Sequence, residues 1–391
     1  MQKNVQDKLV LAYEKVKDFV IKHKKISIGV CVVILVAIIW RTFSLFYTYT
    51  DYTIKYDTTM EDSDGTAYES FHNNIVKYNS DGAFYVSKQG DLMWNEAFDM
   101  LSPNIDISND YVALYDRAGT DIYVMDTIGK KGTIRTSKPI LTACVADNGS
   151  VAALMNQKDV SYLEIRDLEG ELIASGELHV ENSGIPIDIA FSEDGEKLAV
   201  SSISFNAGSL QTIISFYNFS KSGQQRQDNI VGTFSFTDVV MPQIIYMSNG
   251  NLVAFGDKEI AVFNDSFEPA LKKEIYPQGS IDSIFYNKDH FGYIGPETTE
   301  SGETIKKLYV FGKSGWKKLN KAIDDPYTKV YMLTNDDVVL TTDKTAVIHG
   351  ISGVKKFEYE FENSIVKILY GGSGNDYIFV QNGVIQDVRL R

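Results

Sequence analysis

The feature that most constrains the fold is a pattern that recurs along most of the chain: an apolar run, a tight polar knot, and a second apolar run. "VKYNSDGAFYV" begins at Val76, "IDISNDYVALYD" at Ile105, "TACVADNGSVAALM" at Thr142, "IAFSEDGEKLAVS" at Ile189, "IIYMSNGNLVAFG" at Ile244, "SIFYNKDHFGYIG" at Ser283, "VYMLTNDDVVLTT" at Val330 and "KILYGGSGNDYIFVQ" at Lys367, eight copies in all. In each, alternating or continuous apolar residues predict a strand. An Asp/Asn/Ser/Gly knot then supplies the positive φ angles and side-chain-to-backbone bonds of a hairpin, and a second β-rich run leads back. The sharpest of these turns are Asp81-Gly82, Asn148-Gly149, Asp194-Gly195 and Asn249-Gly250. A third β-rich run follows most copies, as in "DIYVMD" from Asp121 and "SYLEIRD" from Ser161. Successive copies start 29 to 55 residues apart, scattered around the ~40–45 of one four-stranded propeller blade.

No stretch beyond position 50 shows sustained helical periodicity. The expected class is therefore all-β, an eight-bladed β-propeller, with seven blades as the alternative because the first unit is short. An open wheel would leave its last sheet with an unpaired edge. The final unit reaches only three strands before Arg391, so the alternating "YTIKYD" (52–57) is expected to complete that sheet.

Upstream of the repeats stands "ISIGVCVVILVAIIW" (26–40), without a charge, followed by Arg41 and the aromatic-rich "TFSLFYTY". Together with the aromatics, residues 26–47 reach the ~20 residues that a bilayer-crossing helix needs. A cleaved leader would show small residues after the apolar run, where Arg41 and bulky rings stand instead. A buried core helix would not be framed by a lysine cluster and an aromatic belt. The segment is expected to be a transmembrane helix, anchored by Lys24 and Lys25 on one side and by Trp40 and Arg41 on the other. Positive flanks stay cytoplasmic, which places residues 1–25 inside and 48–391 outside, in a single-pass cell-membrane protein. Within that tail, Val5, Leu9, Tyr13, Val16 and Val20 recur at helical spacing opposite lysines, a pattern that suits the inner leaflet or a continuation of the spanning helix.

Charge is unevenly placed. Residues 1–25 carry seven lysines against three acids, and with Arg41 this segment holds +5 of a chain whose net charge is −14, leaving −19 for residues 42–391. A body so acidic repels phosphate backbones, so nucleic acid is not an expected partner. Cys31 lies in the apolar segment and Cys144 stands alone in the body, so sheet hydrogen bonds and packing must hold the outer part together.

Signatures of catalysis are thin. The five histidines are scattered without metal-ligand spacing. No G-x-S-x-G and no phosphate-cradling glycine loop is present. "EDSDG" (61–65) opens like a calcium loop counted from Asp62, but its sixth position is Ala67 and its twelfth is Asn73, which suits a solvated linker better. Acids in the blade turns serve hairpin geometry before chemistry. No cofactor and no metal is expected.

The strand-turn-strand rhythm of residues 50–391 resembles the β-propellers of the WD40, quinoprotein-like and YVTN-type group. No WD dipeptide follows Trp40, Trp94 or Trp316, and "GDLMWNEAF" (90–98) carries the quinoprotein-like glycine-to-tryptophan spacing once. The resemblance therefore implies the fold and not a quinone cofactor. The anchored arrangement is also similar to single-span propeller proteins of unknown function on Gram-positive bacteria.

Recognition on such scaffolds resides in inserted loops. Candidate partner contacts are Ser204, Phe205 and Asn206, Gln224 and Arg226 in the long fourth unit, and Glu297 and Glu300 in the sixth. The reading is an extracytoplasmic binding or assembly platform at the cell envelope, with the lipid bilayer and a protein or envelope polymer as partners. The rivals are a glycan hydrolase or lyase with acids in the central channel, and a transmembrane sensor.

Overall fold

The computed structural model describes residues 47–59, 65–158, 160–206 and 208–391, with Gly29, Val32, Val33, Leu35 and Val36 further upstream. Eight four-stranded antiparallel sheets account for the strands among them. Blades 1 to 7 comprise residues 67–97, 103–135, 140–179, 185–237, 243–275, 283–322 and 329–360, each running from the innermost strand outward in chain order. Blade 8 takes three strands from residues 365–390 and its outer strand, Tyr52–Thr59, from the start of the body.

That outer strand closes the wheel. Tyr52 opposes Leu390 and Thr59 opposes Val384, with a register shift between Ile54 and Tyr56. The Lys55 ammonium lies 2.8 Å from Asp376 and 3.4 Å from Asp387, two carboxylates of the sheet it joins. Just upstream, the chain is docked on the outer edge of blade 7. Tyr49 N–H donates to Lys356 O (2.9 Å), Glu358 N–H donates to Tyr49 O (3.1 Å), and Thr48 Oγ1 donates to Lys355 O (2.7 Å).

Both faces of every sheet are covered by its neighbours, so middle strands read as continuous apolar runs. Leu252–Phe255 and Ile260–Phe263 are buried at every residue. Apolar clusters fill the gaps between blades. One sets Phe216, Met241 and Phe263 between blades 4 and 5; another sets Phe357, Tyr377 and Phe379 between blades 7 and 8.

Seven of the eight repeat copies fall on the innermost and second strands of a blade, but the first does not. "VKYNSDGAFYV" covers the second and third strands of blade 1, whose innermost strand is Ala67–Phe71. The turn between these two inner strands is His72-Asn73, with φ of 47° and 59°. Without glycine it gives no sequence signal. The glycines differ likewise. Gly149, Gly195 and Gly250 supply φ of 81°, 71° and 76° in their turns. Gly82 instead allows close strand approach, since a Cβ there would stand 2.6 Å from Glu96 O.

Among the described residues, no helix is long and apolar enough to cross a membrane. Lys24, Lys25, Trp40, Arg41 and most of the apolar segment lie outside those residues, as does the acidic stretch 61–64.

Candidate functional site

Antiparallel strands make the wheel two-faced. Turns from innermost to second strand, and from third to outer strand, lie on one face, here the mouth face. The remaining connections lie on the far face. On the mouth face the central channel opens into a cavity of about 840 Å³, lined mainly by the innermost strands and first turns of blades 1 to 6, with Thr334 of blade 7.

Two carboxyls stand in its wall. Asp106 Oδ2 accepts the Val145 N–H of the next blade (2.7 Å), and Asp188 Oδ2 accepts the Ile244 N–H of its own next blade (2.8 Å). Burial pushes Asp106 up to about 6, against the pull of its backbone bonds and of Lys288. Burial pushes Asp188 up to about 7, and the nearby Asp106 adds to the rise. Between them on blade 3, the Cys144 thiol donates to Ile189 O (3.3 Å) and is raised by burial and then by both acids. Taking charge out of water penalises ionisation, so the Cys144 thiol stays protonated at neutrality, while Asp188 titrates near neutrality and Asp106 about a unit below it.

These bonds belong to a series that joins every pair of neighbouring blades. The remaining seams are Trp94 Nε1 to Asp126 O (2.9 Å), Gln243 Nε2 to Tyr286 Oη (2.6 Å), Asn287 Nδ2 to Leu333 O (2.9 Å), Ile368 N–H to Tyr331 Oη (2.8 Å) and Lys367 Nζ to Glu69 Oε1 (2.8 Å). The acids of the channel wall thus serve first as acceptors that fix blade spacing. Across the mouth, the Lys288 ammonium of blade 6 reaches Asn109 Oδ1 of blade 2 (2.8 Å) and Glu193 of blade 4 (3.3 Å). One side chain therefore straps three blades over the opening.

The sequence-chosen loop residues separate by face. Ser204, Phe205 and Asn206 end the second strand of blade 4 on the far face, where Phe205 is 77% exposed. Glu297 and Glu300 sit on the far-face hairpin of blade 6, and Glu297 is paired with Lys307 at 2.6 Å. Gln224 and Arg226 lie on the mouth face; Gln224 Nε2 donates to Phe219 O (3.1 Å), and Arg226 pairs with Glu268 and stands over the Phe267 ring. The channel acids were not among the sequence candidates. Their signal was there in the triplet "IDI" at 105–107 and again at 187–189, an aspartate placed within a strand where its type is disfavoured.

A closed ring of eight four-stranded sheets around a channel defines the class: this is a β-propeller. The chain belongs to a family described as "Family of unknown function (DUF5711)", whose model matches residues 46–390. No curated protein matches it. Among solved structures it is similar to the C-terminal WD40 domain of Sif2, at 9% identity and TM-score 0.59, over 88% of this chain and 99% of that one. It is also similar to BamB from Moraxella catarrhalis, at 11% identity and TM-score 0.50, over 87% of this chain and 100% of that one. Likeness at such identity concerns the fold.

Proposed function

We propose that this chain is a membrane-anchored, extracytoplasmic binding and assembly platform at the cell envelope, whose partner is a protein or an envelope polymer. The observation that carries the reading is the commitment of the channel acids: each is bonded to the backbone of the adjoining blade, so the wall builds a rigid ring. Rigid scaffolds with exposed turns suit recognition, because little ordering entropy is lost on binding.

A second reading has its own support. Two acids raised to about 6 and about 7 in one cavity have the protonation range of a general acid and base. Envelope glycan cleavage is the corresponding activity. Purification of the full chain from membranes separates the two readings. The platform predicts a stoichiometric co-purifying partner that persists in Asp106→Asn and Asp188→Asn and is reduced by Phe205→Ser. Glycan turnover lost in both aspartate variants, with no partner retained, would replace the platform by the enzyme.

A further inference from the structure

We infer that the mouth face is the membrane-facing side of the wheel, and that its sector over blades 6 to 8 rests on anionic lipid headgroups. The inference builds on the anchor reading above and adds an orientation to it. It starts from the linker. The apolar segment ends at Tyr47, and the next residues are already fastened: Thr48 and Tyr49 to the Lys355, Lys356 and Glu358 backbone, and the Tyr49 hydroxyl to Asn375 Nδ2 (2.7 Å). Asp51 is held by Arg391, through the Arg391 N–H (2.8 Å) and guanidinium (3.1 Å). The chain is therefore fixed to the wheel from Thr48 onward.

The docking point lies on the mouth face. Tyr52, which follows it, opposes Leu390, and the Leu390 N–H donates to Asn375 O in the first turn of blade 8 (3.0 Å). A chain rising from a bilayer into that corner brings the mouth face down toward the lipid. Far-face residues such as Phe205 and Glu300 then point away.

Charge on the mouth face is sorted accordingly. In the sector over blades 6 to 8, blade 6 presents Trp316, 69% exposed and under the Lys273 ammonium of blade 5 at 4.2 Å, followed by exposed Lys317 and Lys318, and blade 8 ends in Arg391, paired with Asp51. Trp with neighbouring lysines is the composition favoured at a bilayer interface. Diametrically opposite, blades 3 and 4 present exposed Glu169, Glu171, Asp194, Glu196 and Asp228 against exposed Lys221 and Arg226. A body of net −19 cannot lie flat on an anionic surface, but its basic sector can touch it while the acidic sector tilts away.

The test uses the full chain, lacking Cys31, reconstituted into phosphatidylcholine vesicles that contain phosphatidylglycerol. A fluorophore is placed on Ser352→Cys (mouth face, blade 7), Glu169→Cys (mouth face, blade 3) or Glu300→Cys (far face), and quenched by a headgroup-attached spin label. Quenching severalfold stronger at 352 than at 300, with 169 between them, is expected. The gap between 352 and 169 should shrink in pure phosphatidylcholine and in Lys317→Glu/Lys318→Glu. Quenching at 300 equal to or above 352 overturns the orientation. A gap indifferent to both lipid charge and charge reversal overturns the headgroup contact. If alkaline carbonate strips the chain from the vesicles, the anchor itself fails, which is a separate outcome.

Discussion

Aspartates at the rim and aspartates in the channel do opposite work in this wheel. At the rim, Asp376 lies between Arg389 (2.7 Å) and Lys55 (2.8 Å), and these cations hold it down to about 2. Asp325, between His349 (2.9 Å) and Lys355 (2.6 Å), is likewise held at about 2, chiefly by its bond to His349. In the channel, Asp106 and Asp188 meet backbone N–H groups, and burial raises both. Charged bonds therefore fasten the segments that close the ring and dock the linker, while acids of raised pKa bond one innermost strand to the next. The difference follows from what each acid faces: cations beside Asp376 and Asp325, backbone dipoles beside Asp106 and Asp188.

The sharpest way to break this comparison is Asp188→Asn. A carboxyl whose folded pKa is raised holds its proton more tightly in the folded chain, so its contribution is complete below about pH 4 and is lost as pH climbs through about 7. Asparagine keeps an oxygen for the Ile244 N–H and never ionises. Urea unfolding at about pH 8 should find the variant more stable by on the order of 3 kcal/mol, with the gain gone near pH 4. A variant weaker than the parent at high pH would mean that the charge itself holds blades 4 and 5 together.

Next in size is Asp376→Ala, which leaves Lys55 and Arg389 facing each other where the ring closes. The acid is nearly buried but its partners are partly exposed, so the cost sits between that of buried and surface pairs, about 2 kcal/mol at neutral pH. Here the sign reverses. A depressed pKa contributes stability above about 4 that disappears as pH falls through about 2. Thermal melts across that range should converge for parent and variant at the acid end. Equal melts at pH 7 would show that strand pairing alone closes the wheel.

Much of this arrangement is written locally, and some of it is not. Turn chemistry made most of the blades legible, because Asn148-Gly149 and Asp194-Gly195 announce their hairpins from adjacent residues. Blade 1 was read one strand out of step because His72-Asn73 adopts the same turn conformation without glycine. The channel acids are marked only by an aspartate between isoleucines, and their role is hidden for a different reason. Nothing near Asp188 in the chain says that its neighbour is Ile244, 56 residues on, or that Asp376 will meet Lys55 from the opposite end. Partners brought together by ring geometry decide each charge, and those partners are not written beside either kind of acid. Loop candidates suffered similarly, since length picked out Phe205 and Arg226 together although the strand directions put them on opposite faces.

The smallest effect isolates the acid from the seam it occupies. Cys144 makes the blade 3 to blade 4 bond with a thiol, beside both channel carboxyls. Cys144→Ala removes a weak donor and a little volume, at a cost of about 1 kcal/mol. Because burial keeps the parent thiol protonated well past neutrality, neither state changes charge between about pH 5 and 8, and the cost should stay level across that window. The same burial should leave Cys144 unreactive toward iodoacetamide in the folded chain and reactive in urea. A cost that grows with pH as the Asp188→Asn gain does would trace the pH response to the whole channel wall, and the contrast between its acids and those of the rim would lose its cause.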